Sequence, residues 1–188
     1  MGINLGKGTY LIANPDGMDQ NSTKTVVLIC DHHNDRGTFG LIVNRELDIT
    51  VSEALPEHPN TADPAKKVFF GGPVETNKLF CLHAEHKKKA HSCEKVCDGV
   101  YLVSNQACMD DLMANHNANV SFRLFMGCAS WAPGQLEEEL KMKFWTVGDA
   151  NANIVFYQKP EVLWWYILRF VSAYSPESPT GLSHPTLN

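Results

Sequence analysis

The alternation of apolar and polar positions along this chain predicts many short strands and a few short helices. Residues 8–13 form an apolar run that stops at Asn14-Pro15-Asp16-Gly17, a strand closed by turn residues. Residues 25–30 are continuous and β-branched, the pattern of a buried strand. A polar turn over residues 31–37 leads into a second apolar run at 38–44, so the two make a hairpin or a neighbouring pair. Further strands are predicted at 67–70, 79–83, 99–103, 120–126 and 144–147. Short helices are expected over 50–55 with Thr50 as cap, over 108–113 with Asn105 as cap, and over 132–141. Residues 19–24 suit a helical turn, 149–157 a turn or helix, and the Lys- and His-rich residues 84–95 a long flexible loop. Strands and short helices alternate irregularly, without ten-residue helices between successive strands, which does not fit a doubly wound parallel sheet. The fold class expected is α+β, a mixed, largely antiparallel sheet with short packed helices.

The C-terminal stretch departs from this rhythm. Residues 162–171 are apolar nearly all round, as in a buried helix, and ten residues are too few to span a bilayer. The expected division is a single α+β domain over residues 1–158, followed by an apolar helix and a flexible tail over 159–188. If the domain core is complete without that helix, a second chain is the surface it would seek, making a homo-oligomer.

Composition narrows the class. The absence of a signal-like apolar segment near the N-terminus sets the expected location as the cytoplasm, with no membrane span. The six cysteines are therefore expected as reduced thiols. A net charge of −5, with Lys87-Lys88-Lys89 as the one dense basic cluster, argues against nucleic acid as a partner.

Special residues crowd together over residues 125–140, Phe-Met-Gly-Cys-Ala-Ser-Trp-Ala-Pro-Gly-Gln-Leu-Glu-Glu-Glu-Leu. The stretch reads as a strand end, a glycine turn and a helix start with Pro133 near its first position. Glu137–Lys141 and Glu139–Lys143 are i,i+4 pairs of favourable orientation, a structural reason for the acids. The functional reading is that Gln135, Glu137 and the N–H groups of this helix start line a ligand pocket. Cys128 would need a positioned His to serve as a nucleophile, with His32, His33 and His83 as the candidates. His83, His86, His91, Cys93 and Cys97 hold a single Cys-x3-Cys pair among irregular His, not the paired ligand sets of a structural zinc site, so no metal is expected. Gly71-Gly72-Pro73 lacks the ending of a phosphate loop and reads as a tight turn that brings backbone close to a neighbour; no cofactor is expected.

Four blocks in order resemble the AlgH/YqgE-like family of bacterial proteins of uncharacterised function: residues 7–15, residues 40–45 with Asn44-Arg45, Gly71-Gly72-Pro73-Val74 with Leu82-His83, and residues 127–140 with Trp145 beyond. The resemblance spans roughly residues 7–157 and implies an α+β fold with a small β-barrel-like part, an open sheet and packed helices. The chain departs from the family pattern at Cys128, usually aromatic, at Ser130, usually Gly, and at Glu46, usually Pro. The function expected is a non-catalytic domain that binds a small ligand or a protein. Its candidate contacts are Asn44, Arg45, Gly71, Gly72, Ser130, Trp131, Gln135 and Glu137. The alternatives are a transcriptional regulator, a label some family members carry, and a hydrolase or thiol enzyme.

Overall fold

A computed structural model describes residues 5–15, 23–58, 65–84, 93–103, 105–114 and 121–174. Most of the predicted turn at 19–24, most of the loop at 84–95 and the tail from 175 lie outside the described residues.

The three N-terminal apolar runs pair as antiparallel strands, β1 (Thr9–Ala13), β2 (Val26–His33) and β3 (Gly37–Ile42). After β4 (Glu46–Thr50) and β5 (Lys67–Phe70) come β6 (Val74–Ala84), β7 (Cys93–Cys97), β8 (Val100–Val103), β9 (Phe122–Trp131) and β10 (Trp145–Asp149). The sheet runs β10-β1-β2-β3-β9-β6-β8-β7, with β4 pairing β5, and β5 joining β9 as the one parallel pairing among the described strands. Far along the order, β7 returns to the start of β1. Gly8 lies so close to it that a Cβ there would stand 2.6 Å from the Val96 carbonyl, and Lys7 pairs with Glu94. The result is a mostly antiparallel sheet curled into a half-barrel, with α1 (Val51–Ala54), α2 (Gln106–Ala114), α3 (Gln135–Lys141) and α4 (Pro160–Tyr174) packed against it.

Period-two alternation sorts the side chains between two faces. Ile12, Leu28, Leu41, Phe125 and Cys128 point into the concave side. There they meet Ile154 and Val155 of a π-helical turn (Asn153–Tyr157) and Leu163, Trp164 and Ile167 of α4. Their chain neighbours Leu11, Val27, Ile29, Ile42 and Ala129 point to the other face, where Trp131, Trp145 and Leu136 of α3 cover them. A third cluster holds α1 and α2 against β5, β6 and β9 through Val51, Leu55, Met109, Met113, Val68, Cys81 and Phe122.

Both short helices start as their caps predict. Thr50 accepts from the Glu53 backbone N–H while the Glu53 carboxylate accepts from the Thr50 N–H, and Asn105 accepts from the Cys108 N–H. Elsewhere the strands exceed the predicted runs. β2 continues through Asp31, His32 and His33, read from sequence as a turn, because a bulge between Ile29 and Asp31 keeps the pairing with β3. β4 and β7 are strands that the apolar pattern does not announce, since their side chains are mostly half-exposed or exposed. β9 does not end before Gly127. It runs on to Trp131 with Gly127 at φ +73° inside it.

Gly127 marks a fork. One edge of β9 pairs with β5 at Phe125 and Met126, and with β3 from Ala129 to Trp131. Between them the chain leaving β5 crosses at Gly71, whose N–H donates to the Met126 carbonyl and whose carbonyl accepts from the Ile42 N–H.

One buried charge ties the far end together. Arg123 donates to the Val43 carbonyl at 2.8 Å and the Gln158 carbonyl at 3.2 Å, with its guanidinium 4.6 Å over the Phe69 ring. Burial pulls it down to about 10, which leaves it charged at neutral pH.

The cysteines correct one expectation. Cys93 of β7 is joined to Cys108 of α2 in a disulfide, with Cα atoms 6.7 Å apart, whereas Cys30, Cys81, Cys97 and Cys128 are free thiols. The two segments are brought together by tertiary packing, which the spacing of the cysteines along the chain does not reveal.

Candidate functional site

On the face carrying α3, a cavity of about 510 Å³ opens between the Trp131–Trp145 pair and the segments that follow β3 and β5. Val27, Ile42 and Phe70 supply apolar walls, Thr25, Arg45 and Ser130 polar ones, and Pro73, Ala129 and Glu139 complete the lining. Its size falls within the usual range of small-molecule sites, about 300–1,000 Å³.

The aromatic wall is locked by a carboxylate. Trp131 and Trp145 meet edge to face at 82°, with ring centroids 6.1 Å apart. Both indole N–H groups donate to Glu139 Oε2, at 2.9 and 2.7 Å. Gln135 Nε2 donates to the other oxygen at 3.0 Å, and Gln135 Oε1 accepts from the Ala132 N–H. Three N–H donors converging on one carboxyl group hold the two rings in one orientation.

Arg45 follows β3 and leans on the segment that enters β2, donating from Nη2 to Thr25 Oγ1 at 2.8 Å and to the Thr23 carbonyl at 3.2 Å. Ser130 is exposed at the rim.

Of the residues singled out from sequence, Arg45, Ser130 and Trp131 come together on this cavity. Asn44 does not line it; its amide accepts from the Val26 N–H and donates to the Lys24 carbonyl, fastening β3's exit to β2. Gly71 and Gly72 do not line it either. Their backbone is pressed on Gly127 and Cys128, where added Cβ atoms would stand 2.1 and 2.3 Å from backbone atoms. Gln135 acts through Glu139. Glu137 faces His32, its Oε1 3.7 Å from the ring Nε2. Lys141 pairs with Glu138 rather than Glu137, and α3 ends at Lys141, so Glu139 is turned to the indoles instead of Lys143. Gly134 is the helix cap in left-handed conformation, which puts Pro133 outside the helix, not at its first position.

Glu139, Trp145, Phe70 and Thr25 were missed as cavity residues. Glu139 and Trp145 stand in or beside the last family block, but the Trp131-to-Glu139 spacing has no meaning until strand and helix are folded together.

The thiol reading finds no support in the geometry. Cys128 lies in mid-β9, seven residues before α3, and points to the concave side. Burial, then the Glu75 carboxylate, raises its thiol, the reverse of an activated nucleophile. His32 is on the opposite face, in register with Thr38 and Trp131, and its Nδ1 bonds Thr38 Oγ1 at 2.8 Å. His33 is engaged with Asp31 and Arg36. His83 pairs with Phe122, six positions from Cys128 along β9 and so about 20 Å away. Burial likewise pushes Cys97 up to about 11 and Cys81 up to about 12. Iodoacetamide at neutral pH is therefore expected to leave Cys128 of the native chain unmodified over a time that fully alkylates the urea-unfolded chain. Alkylation of Cys128 faster than free cysteine would restore the thiol-enzyme reading.

Among the described residues no group of three His, Cys, Asp or Glu stands together as a metal site, and His86 and His91 lie outside them.

The fold and sequence can be set beside known proteins. The sequence profile of the AlgH-like family, DUF179, matches residues 10–173. A UPF0301 protein of Chlamydia pneumoniae is 30% identical over 165 residues, covering 88% of this chain and 86% of that protein. UPF0301 protein SPO0296 of Ruegeria pomeroyi is 34% identical over 161 residues, covering 84% and 86%. Among solved structures, protein DIP2367 of Corynebacterium diphtheriae aligns with a TM-score of 0.75 at 24% identity over 90% of this chain and 89% of that one. The solution structure of the AlgH protein of Pseudomonas aeruginosa aligns with a TM-score of 0.70 at 24% identity, over 91% and 95%. The half-barrel is thus shared, and the profile match continues through most of α4.

Proposed function

The chain belongs to the AlgH-like family, and from that premise we propose that it is a non-catalytic protein that binds a small ligand in the cavity beside α3. The carrying observation is the preset aromatic corner, Trp131 and Trp145 fixed on Glu139 over an open space of about 510 Å³. A wall already held in place loses little freedom on binding, which is what a binding site needs. The cavity also suits binding better than chemistry. Its lining contains no Cys, His or Lys, and its one carboxylate accepts three N–H donors.

We further place the chain in the cytoplasm. The four free thiols support that setting and the Cys93–Cys108 disulfide does not. No helix among the described residues is long and apolar enough to cross a membrane. Self-association through α4 would have to use Val162, Trp165 and Phe170, which face outward, because its inner face is taken by the core.

Titrating the 15N-labelled chain with a fragment set of neutral, acidic and basic aromatics tests the binding reading. At least one fragment is expected to shift both the Trp131 and the Trp145 indole signals. If none moves either indole while the chain stays folded, the reading fails.

A further inference from the structure

We propose that the outer face of α4 is a self-association surface, on which a second copy of this chain docks its own α4 antiparallel, with the two Trp165 side chains meeting at the two-fold axis. This goes beyond the ligand reading and is independent of it. Six large apolar side chains are exposed among the described residues, and three of them, Val162, Trp165 and Phe170, lie on α4 at 45%, 47% and 55%. The inner face of the same helix is already used, since Leu163, Trp164 and Ile167 fill the concave core. At about 100° per residue, the outward positions form two ridges, Glu161–Trp165–Arg169 and Val162–Tyr166–Phe170. The half-buried Tyr166 meets Phe170 edge to face at 66°, with centroids 5.0 Å apart, so the second ridge is a continuous aromatic edge. A contiguous apolar strip left open to solvent marks an interaction surface.

The charges on this face say what covers it. Glu161 and Arg169 are both exposed, and neither has an ion-pair partner among the described residues. They stand on one ridge about 12 Å apart along the axis, too far to pair with each other, and at equal distances from Trp165. In an antiparallel pair centred on Trp165, Glu161 of each copy faces Arg169 of the other, and Val162 of each falls between Tyr166 and Phe170 of the other. A parallel pair would set Glu161 against Glu161 and Arg169 against Arg169, which repel. The pattern is therefore self-complementary in one direction only, as a two-fold contact requires. Lys24 lies 5.3 Å over the Trp165 ring, and the exposure of Trp165 is what remains with Lys24 in place. A helix of 15 residues is about 22 Å long, and one such crossing buries less than the ~800 Å² per partner of stable complexes, so the dimer is a weak one with a Kd of about 10–100 μM.

Sedimentation velocity of the full chain, from about 5 μM to about 1 mM, is expected to show the mean mass rising from that of one chain toward that of two. Trp165→Ala is expected to weaken the association about tenfold or more. Glu161→Arg and Arg169→Glu are each expected to weaken it about tenfold, and the double exchange E161R/R169E to return it to within about threefold of the unaltered chain. All three positions face solvent, so the variants keep the fold, which their urea midpoints check. A chain that stays monomeric throughout overturns the proposal, and co-sedimentation of that monomer with anionic phospholipid vesicles assigns the same face to a lipid surface instead. Association that ignores Trp165→Ala and both charge reversals lies elsewhere on the molecule and overturns the proposal as well. Association that Trp165→Ala weakens but the double exchange does not restore overturns the antiparallel arrangement and leaves α4 as the contact.

Discussion

Replacing Gly127 with alanine is expected to destabilise the chain by about 3 kcal/mol, read as a lowered urea midpoint at unchanged slope. Two costs add. Gly127 has φ +73°, a left-handed conformation that costs an L-residue about 1–2 kcal/mol. In addition, its Cβ would stand 2.4 Å from the Gly72 carbonyl and 3.1 Å from the Val74 carbonyl, both backbone atoms that cannot rotate away. Overpacking of this kind costs about 1–3 kcal/mol. Gly134 provides the control, since it has φ +79° but nothing within 4 Å of its would-be Cβ. Gly134→Ala should therefore show only the backbone cost, about 1–2 kcal/mol. Equal losses at the two glycines would mean that the close approach at the fork contributes nothing.

A chain ended at Gln158 is expected to lose cooperative unfolding altogether. Leu163, Trp164 and Ile167 are 0%, 4% and 2% exposed in the concave core, and removing α4 would uncover that face of the half-barrel. The Trp164 indole N–H also donates to the Ala13 carbonyl at 2.8 Å, a bond into the sheet itself. Trp164→Ala in the full chain should cost about 3–5 kcal/mol, a large-to-small change in a filled core. Trp165→Ala, on the outward face beneath Lys24, should cost about 1 kcal/mol or less. The pair of variants separates the two faces of one helix in a single unfolding assay. A truncated chain with dispersed amide signals and a sharp transition would establish residues 1–158 as a folding unit of its own and turn α4 back into an appendage.

How much of this was visible beforehand depended on how local each cause was. Thr50 and Asn105 were legible as caps because a cap is settled within four residues of itself. The strands at Thr9–Ala13 and Lys67–Phe70 were legible because apolar runs end at turn residues or glycines. β4 and β7 were not, because they are sparse in buried side chains and are strands by virtue of a neighbour that pairs with them. The segment over residues 125–140 misled in an instructive way. Its glycine looked like the end of a strand, whereas it serves a strand that continues past a fork. Its acids looked like helix-surface pairs, whereas Glu139 holds two indoles.

The candidate site divides along the same line. Arg45, Ser130 and Trp131 could be picked out as unusual residues in family blocks, but nothing local says that positions 45 and 130 share a cavity. That convergence needs β3 beside β9, a pairing between segments about ninety residues apart, whose closure is decided by the whole core and not by either strand. Glu139 and Trp145 enter only with the packing of α3 and β10 against the sheet.

By itself, then, the sequence determined the α+β class, most of the strands, the capped helix starts, the apolar character of α4 and the family, because alternation, capping chemistry and block order are properties of short stretches. Tertiary structure alone decided the fork at Gly127, the insertion of α4 into the concave core, the Cys93–Cys108 link and the cavity beside α3. Each of these depends on which segments the core brings within a few ångströms of one another, and that is a property of the whole chain's packing rather than of any window along it.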